Sequence, residues 1–154
     1  MNARQLQQLV DLRLLREQRA ARRLAQQRQQ QRLASEALAE ACAALTEQQE
    51  QQRQLAERLT ARLATPLPVS HWQRGQDAQA ASAEDTAHCL TQVSEASVRL
   101  ALHRADESAQ RRALLRCQGQ REASEQLLER HRPFDEPSDP ADEGLAPAYG
   151  QVRA

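Results

Sequence analysis

Arginine is the residue type with the clearest chemical role in this sequence. Residues 12 to 32 contain seven arginines and one glutamate, with no glycine, proline or aromatic residue. An arginine side chain is a planar, permanently charged fork of donors that pairs with carboxylates and phosphates. A segment of this composition predicts a basic helix that binds an acidic partner. Nucleic acid, an anionic membrane and a protein socket are the three candidates.

Other reactive side chains do not form a recognisable catalytic or metal site in the sequence. The four histidines and three cysteines are scattered along the chain, and only His88 and Cys89 are neighbours. A zinc site needs a second such pair, and a nucleophilic site needs a pocket that excludes water. No glycine-rich phosphate loop is present. We therefore expect a protein that is not an enzyme and has no cofactor or metal.

Long helices must position the arginines. Alanine, glutamine, leucine, arginine and glutamate dominate the composition, whereas isoleucine and lysine are absent and Phe, Trp and Tyr occur once each. This composition is typical of coiled coils rather than of a globular core. The sequence predicts an all-α fold, a long two-helix antiparallel coiled-coil hairpin over residues 1–132. Helix 1 covers about 2–64, a loop covers 65–76 and helix 2 covers about 77–132.

Helix-breaking residues define the predicted loop. Pro66 and Pro68 cannot continue the first helix, Gly75 allows a tight turn, and Asp77 is a suitable N-cap for the second helix. The segment 133–154 holds four prolines, five acids and one arginine, a net charge of −4. We expect this tail to be disordered, because it has too few apolar groups to pack.

A heptad repeat predicts how the two helices pair. In helix 1 one row is Leu38, Leu45, Gln52 and Leu59, and a second row is Cys42, Gln49, Ala56 and Leu63. In helix 2 one row is Val93, Leu100, Leu114 and Leu128, interrupted by Glu107 and Arg121, with Leu90 on the second row. Apolar rows predict a coiled coil, and the polar interruptions predict a weak one.

The charges are distributed unevenly along such a hairpin. Folding near residue 70 places residues 1–32, with eight arginines and two acids, beside 99–132, with eight arginines and five acids. It also places 33–64, with three arginines and five acids, beside 77–98, with four acids and no arginine. The sequence therefore predicts a basic open end, where the two chain termini lie, and an acidic loop end.

A protein socket suits the basic helix better than DNA or a membrane does. The stretch has no asparagine to read bases, and its leucines nearly encircle the helix instead of forming one apolar face. Leu12 and Leu15 lie off the stripe that a partner helix would cover, beside Arg13 and Arg16. A homodimeric coiled-coil scaffold or chaperone and a zipper-type DNA-binding protein are the alternatives. An ordinary solvated helix surface is the plainer interpretation.

Trp72 is the candidate residue at the loop end. It stands in VSHWQRG and is the only tryptophan of the chain. One interpretation is a structural cap that packs on Leu67, Val69 and the last turn of helix 1. The other is an anchor for a partner, because exposed tryptophan is enriched at binding hot spots.

A chain of this size, forming a two-helix antiparallel coiled coil that opens with LRLLREQRAARRL, resembles the FliJ/YscO stalk family of type III secretion. The resemblance covers residues 1 to about 132. It implies that the open end inserts into the central channel of the hexameric secretion ATPase and that the rod links the ATPase to the export gate. Some family members also bind free secretion chaperones. The positions that match the basic start are Leu12, Arg13, Leu15, Arg16, Arg19, Arg22 and Arg23.

The expected setting follows from the cysteines and from the same resemblance. An odd number of isolated cysteines does not suggest a disulfide framework, and the only leucine-rich run near the start is interrupted by Arg13 and Arg16, unlike a signal peptide. We expect a cytoplasmic monomer without direct membrane insertion or a nucleic-acid partner. The resemblance adds a peripheral position at the inner membrane through the secretion complex.

Overall fold

The protein folds into two long helices that pack against each other. The structure, a computed structural model, describes residues 2–131. Over this range the chain forms α1 (Ala3–Arg62) and α2 (Val69–His131), with no strand. Contacts of Arg13 with Ser124 and of Gln52 with Thr86 show that the helices run antiparallel. The predicted all-α helical hairpin is therefore confirmed, whereas the tail 133–154 lies outside the described residues.

The connection between the helices is shorter than the predicted loop 65–76. It covers only residues 63–68, because α2 begins directly after Pro68. The Pro68 carbonyl accepts hydrogen bonds from the backbone N–H groups of His71, at 2.9 Å, and Trp72, at 3.4 Å. The fixed φ of proline suits the start of a helix, where its missing N–H group is not needed.

Two sequence predictions at this connection are wrong for the same reason. Asp77 is not the N-cap of α2, and Gly75 does not form a turn, because both residues lie inside the helix. The segment 69–76 contains no proline. Once Pro68 has started the helix, nothing in that segment interrupts it.

The contact between the helices follows a regular heptad. Residues that are buried or half-buried alternate at spacings of four and three along both helices, and we call this set the seam. In α1 they are Leu6, Val10, Arg13, Glu17, Ala20, Leu24, Gln27, Gln31, Ala34, Leu38, Ala41, Leu45, Gln48, Gln52, Leu55 and Leu59. In α2 they are Ser82, Thr86, Cys89, Val93, Ala96, Leu100, His103, Glu107, Gln110, Leu114, Cys117, Arg121, Ser124 and Leu128.

The seam confirms one predicted row in each helix and corrects the other. The rows starting at Leu38 and at Val93 are seam residues throughout. The second row of α1 contains Ala41 rather than the exposed Cys42, and the second row of α2 contains Cys89 rather than the exposed Leu90. Both errors are shifts of one residue, because neighbouring small or apolar residues fit the repeat equally well until the partner helix is in place.

Several polar side chains of the seam are hydrogen-bonded across the interface. The Gln27 amide nitrogen lies 3.1 Å from Nδ1 of His103 and donates to the His103 carbonyl at 3.3 Å. The Thr86 hydroxyl donates to Oε1 of Gln52 at 3.2 Å. Over residues 2–131, no buried side-chain nitrogen or oxygen lacks a hydrogen-bond partner. The polar interruptions are therefore compensated, as buried polar groups must be.

Candidate functional site at the open end

The open end of the hairpin holds most of the fully buried residues. Leu6, Val10, Ala20 and Leu24 of α1 are buried there, and Ser124 of α2 is completely inaccessible to solvent. The seam is consequently tightest beside the arginine-rich stretch. This packing decides which of the predicted arginines face solvent and which face the other helix.

Arg13 is turned into the seam. Its guanidinium donates to the carbonyl of Gln120 and to the hydroxyl of Ser124, both on α2. The Ser124 hydroxyl in turn donates to the Gln120 carbonyl at 2.9 Å. Arg13 therefore joins the two helices, a contact that the sequence prediction of a socket-binding residue did not include.

An ionic network lies one turn further along the seam. Arg121 Nε donates to Glu17 at 2.5 Å, and another guanidinium nitrogen donates to both oxygens of Glu125, at 2.7 and 2.8 Å. The Arg121 and Glu17 side chains are only 24% and 17% exposed. Hydrogen bonds to Glu125 and then to Glu17 raise the pKa of Arg121 above its usual value. Arg121 therefore stays charged, and the carboxylates of Glu17 and Glu125 balance its charge inside the hairpin.

The remaining predicted residues form one exposed surface, which we call the open-end surface. Leu12 and Leu15 are 56% and 48% exposed. With Arg19 and Arg22 they are spaced at i, i+3, i+7 and i+10, which places them on one face of α1 away from α2. Arg16 and Arg23, which are also exposed and seven residues apart, lie along one edge of this face. The complete set is Leu12, Leu15, Arg16, Arg19, Arg22 and Arg23.

The arginines of the open-end surface are free of ion pairs within the hairpin. Over residues 2–131, no salt bridge joins an acid to Arg16, Arg19, Arg22 or Arg23. The nearby Glu17 is already paired with Arg121. Four guanidinium groups that form no ion pair with the described residues therefore lie beside exposed leucines, a combination suited to an acidic protein surface with apolar pockets.

Trp72 lies at the opposite end, 52% exposed, in a groove between the helices. We call this the tip groove. Trp72 lines it together with Leu67, whereas Val69, the other predicted packing partner, is among the most exposed apolar residues. The groove is about 710 Å³ in volume, and its lining residues are Leu55, Ala56, Leu59, Thr60, Arg62, Leu63, Leu67, His71, Trp72, Arg74, Gly75, Gln76, Ala78 and Gln79.

The charge of the tip groove differs from the predicted acidic loop end. Arg62 and Arg74 line it, and no carboxylate from the described part of the chain does. Glu57 and Asp77 of the two predicted segments lie beside lining residues in the sequence without lining the groove themselves, and other acids, such as Glu36 and Glu95, lie further along the helices. Sequence reasoning counted both arginines but did not place them at a groove, because it summed charge over long segments. The positions of Arg62 and Arg74, close to the loop on either side, could have indicated a basic tip.

Between residues 2 and 131, no group of three His, Cys, Asp or Glu side chains could hold a metal ion. In the same range, neither helix has a stretch apolar enough to cross a membrane.

Comparison with known proteins gave no match. No family model, no curated protein and no solved structure matches this chain.

Proposed function

We propose that this protein is a stalk protein of type III secretion, which couples the hexameric secretion ATPase to the export gate. The observation that carries the proposal is the open-end surface. There, four arginines that form no ion pair within residues 2–131 lie beside two exposed leucines. A helix of 60 residues is about 90 Å long, so the hairpin has the length of a rod that can connect two assemblies. The resemblance to the FliJ/YscO family names those assemblies.

In this proposal the seam and the open-end surface have separate tasks. Arg13 and Arg121 hold the two helices together and keep the inserted end rigid. Arg19 and Arg22 pair with acidic groups on the channel wall, while Leu12 and Leu15 fill apolar pockets in it. Rigid helices present these groups with little loss of entropy on binding.

The coupling mechanism follows from a mismatch of symmetry. A single asymmetric rod inside a ring of six subunits contacts only some of them at a time. Those contacts stabilise one subunit conformation over another and so bias nucleotide hydrolysis around the ring. The loop end then faces the export gate or a secretion chaperone, and the protein works in the cytoplasm, peripheral to the inner membrane.

Binding to a purified hexameric secretion ATPase tests the proposal. Arg19→Glu places a carboxylate on the open-end surface, and Arg58→Glu makes the same change at an exposed arginine near the other end of α1. Losing an interfacial charge pair costs about 2–5 kcal/mol, so Arg19→Glu should weaken binding by at least about 30-fold. The Arg58→Glu protein should bind like the wild type, and both variants should melt like it.

Two outcomes would contradict the stalk function. Equal affinities of the two charge-reversal variants would show that the open-end surface is not the contact. A solution mass of twice 17.3 kDa by light scattering, with no ATPase binding, would favour a homodimeric coiled-coil scaffold instead.

A further inference from the structure

The tip groove has apolar walls that no other part of the described chain covers. Leu63 is 63% exposed and Leu67 is 41% exposed, and both line the groove with Trp72. Isolated exposed leucines are ordinary on protein surfaces, but a concave group of them with a tryptophan marks a binding site. The volume of about 710 Å³ lies in the usual range of ligand pockets.

A close approach of the two helices builds this end of the groove. A Cβ atom added to Gly75 would lie 2.7 Å from Cδ2 of Leu59. The leucine methyl group therefore lies directly against the backbone of α2, and a larger residue at position 75 would require the Leu59 side chain to shift. Because two packed helices hold the groove, its shape is set before any partner arrives.

The charged side chains that line the groove are basic. Among the described residues they are Arg62 and Arg74, beside His71, and no carboxylate lines the groove, although Asp77 lies between the lining residues Gln76 and Ala78 in the sequence. Over residues 2–131, neither arginine takes part in a salt bridge. An occupant must therefore bring both apolar side chains and negative charge.

We propose that the tip groove binds an acidic amphipathic helix of a partner protein. Apolar side chains at i, i+3 or i+4 of that helix fill the space between Leu63, Leu67 and Trp72, as in other helix-in-groove complexes. Carboxylates beside them pair with Arg62 and Arg74. A concave groove favours a peptide over a flat lipid surface. The proposal does not rest on the stalk function, because no residue of the open-end surface takes part.

Fluorescence of Trp72 provides a direct readout, because it is the only tryptophan of the chain. The probe is a tryptophan-free helical peptide of about 18 residues with leucines at i, i+3, i+4 and i+7 and glutamates on both sides of them. The control peptide has lysine in place of each glutamate. With the full-length protein we expect a saturable blue shift with the acidic peptide and at least tenfold weaker binding of the lysine peptide.

Variants of the protein separate charge from apolar contact. Arg62→Gln and Arg74→Gln should each lower the affinity for the acidic peptide several-fold. Neither substitution should lower the affinity for the lysine peptide. Arg58→Gln, at an exposed arginine that does not line the groove, is the matched control and should have no effect. Circular dichroism confirms that each variant keeps its helices.

Three results would overturn the proposal. No response of Trp72 to the acidic peptide would show that the groove is not a docking site for such helices. Equal binding of the acidic and lysine peptides would remove the role of the arginines. A larger blue shift with vesicles of anionic phospholipid than with the peptide would assign the tip to a membrane surface.

Discussion

Arg13→Ala should destabilise the hairpin by about 2 kcal/mol, although Arg13 belongs to the most basic stretch of the chain. The guanidinium donates to the Gln120 carbonyl and to the Ser124 hydroxyl. Hydrogen bonds from a charged group contribute about 1.5–3 kcal/mol. We expect the lower part of that range, because Arg13 is only half-buried and the Ser124 hydroxyl keeps its bond to Gln120 at 2.9 Å.

Arg19→Ala is the matched control for this change. It removes the same side chain and the same charge from an exposed position of α1. Surface substitutions of this kind usually change stability by less than about 0.5 kcal/mol. Urea unfolding followed by far-UV circular dichroism measures both free energies, and the expected difference corresponds to roughly 4–10 °C in melting temperature.

A comparison of the two variants can refute the seam assignment. Equal stabilities of Arg13→Ala and Arg19→Ala would show that Arg13 is a surface residue like its neighbours. A double-mutant cycle with Ser124→Ala sharpens the test, because residues in contact show a coupling energy of about 0.5–3 kcal/mol. A coupling energy near zero would contradict the contact between Arg13 and Ser124.

Two further predictions concern α2. Gly119→Ala should stabilise the protein by about 1 kcal/mol, because alanine is the better helix former and an added Cβ meets nothing within 4 Å. Gly75→Ala should raise the free energy of unfolding much less in the same urea titration, since its Cβ would lie 2.7 Å from a methyl carbon of Leu59. Equal stabilisation by Gly119→Ala and Gly75→Ala would contradict the close packing at Gly75. Hydrogen bonds to Glu125 and then to Glu17 raise the pKa of Arg121 in the folded protein above its value in the unfolded chain. The contribution of Arg121 to stability is therefore complete at pH values below the unfolded pKa, and it is lost only as the pH rises through the higher folded pKa. The melting-temperature difference between the wild type and Arg121→Gln should therefore stay constant from about pH 7 to about pH 10, and a decline within that window would contradict the network.

Much of the architecture was predictable from composition and local pattern. The absence of glycine and proline between residues 2 and 64 predicts the first helix, and the prolines at 66 and 68 predict where it ends. The row from Leu38 to Leu59 was visible because its apolar residues recur every seven positions. These features are local, so the sequence alone determined an elongated two-helix protein with its arginines gathered near one end.

The register between the helices was not predictable to one residue. Cys42 and Leu90 fit the repeat as well as Ala41 and Cys89 do, and only the contact with the other helix selected the latter pair. The start of α2 was misplaced for a related reason. Pro68 can end one helix or begin the next, and local sequence does not distinguish the two uses.

Only the tertiary structure decided which arginines are available to a partner. Arg13, Arg16 and Arg19 are equivalent by composition, yet Arg13 donates across the seam to Ser124 while the other two remain exposed. A helix presents its side chains in all directions around its axis. Which stripe becomes buried depends on a helix more than 100 positions away in the chain, as the separation of 111 between Arg13 and Ser124 shows. No local pattern contains that information, because it exists only once the two helices have packed.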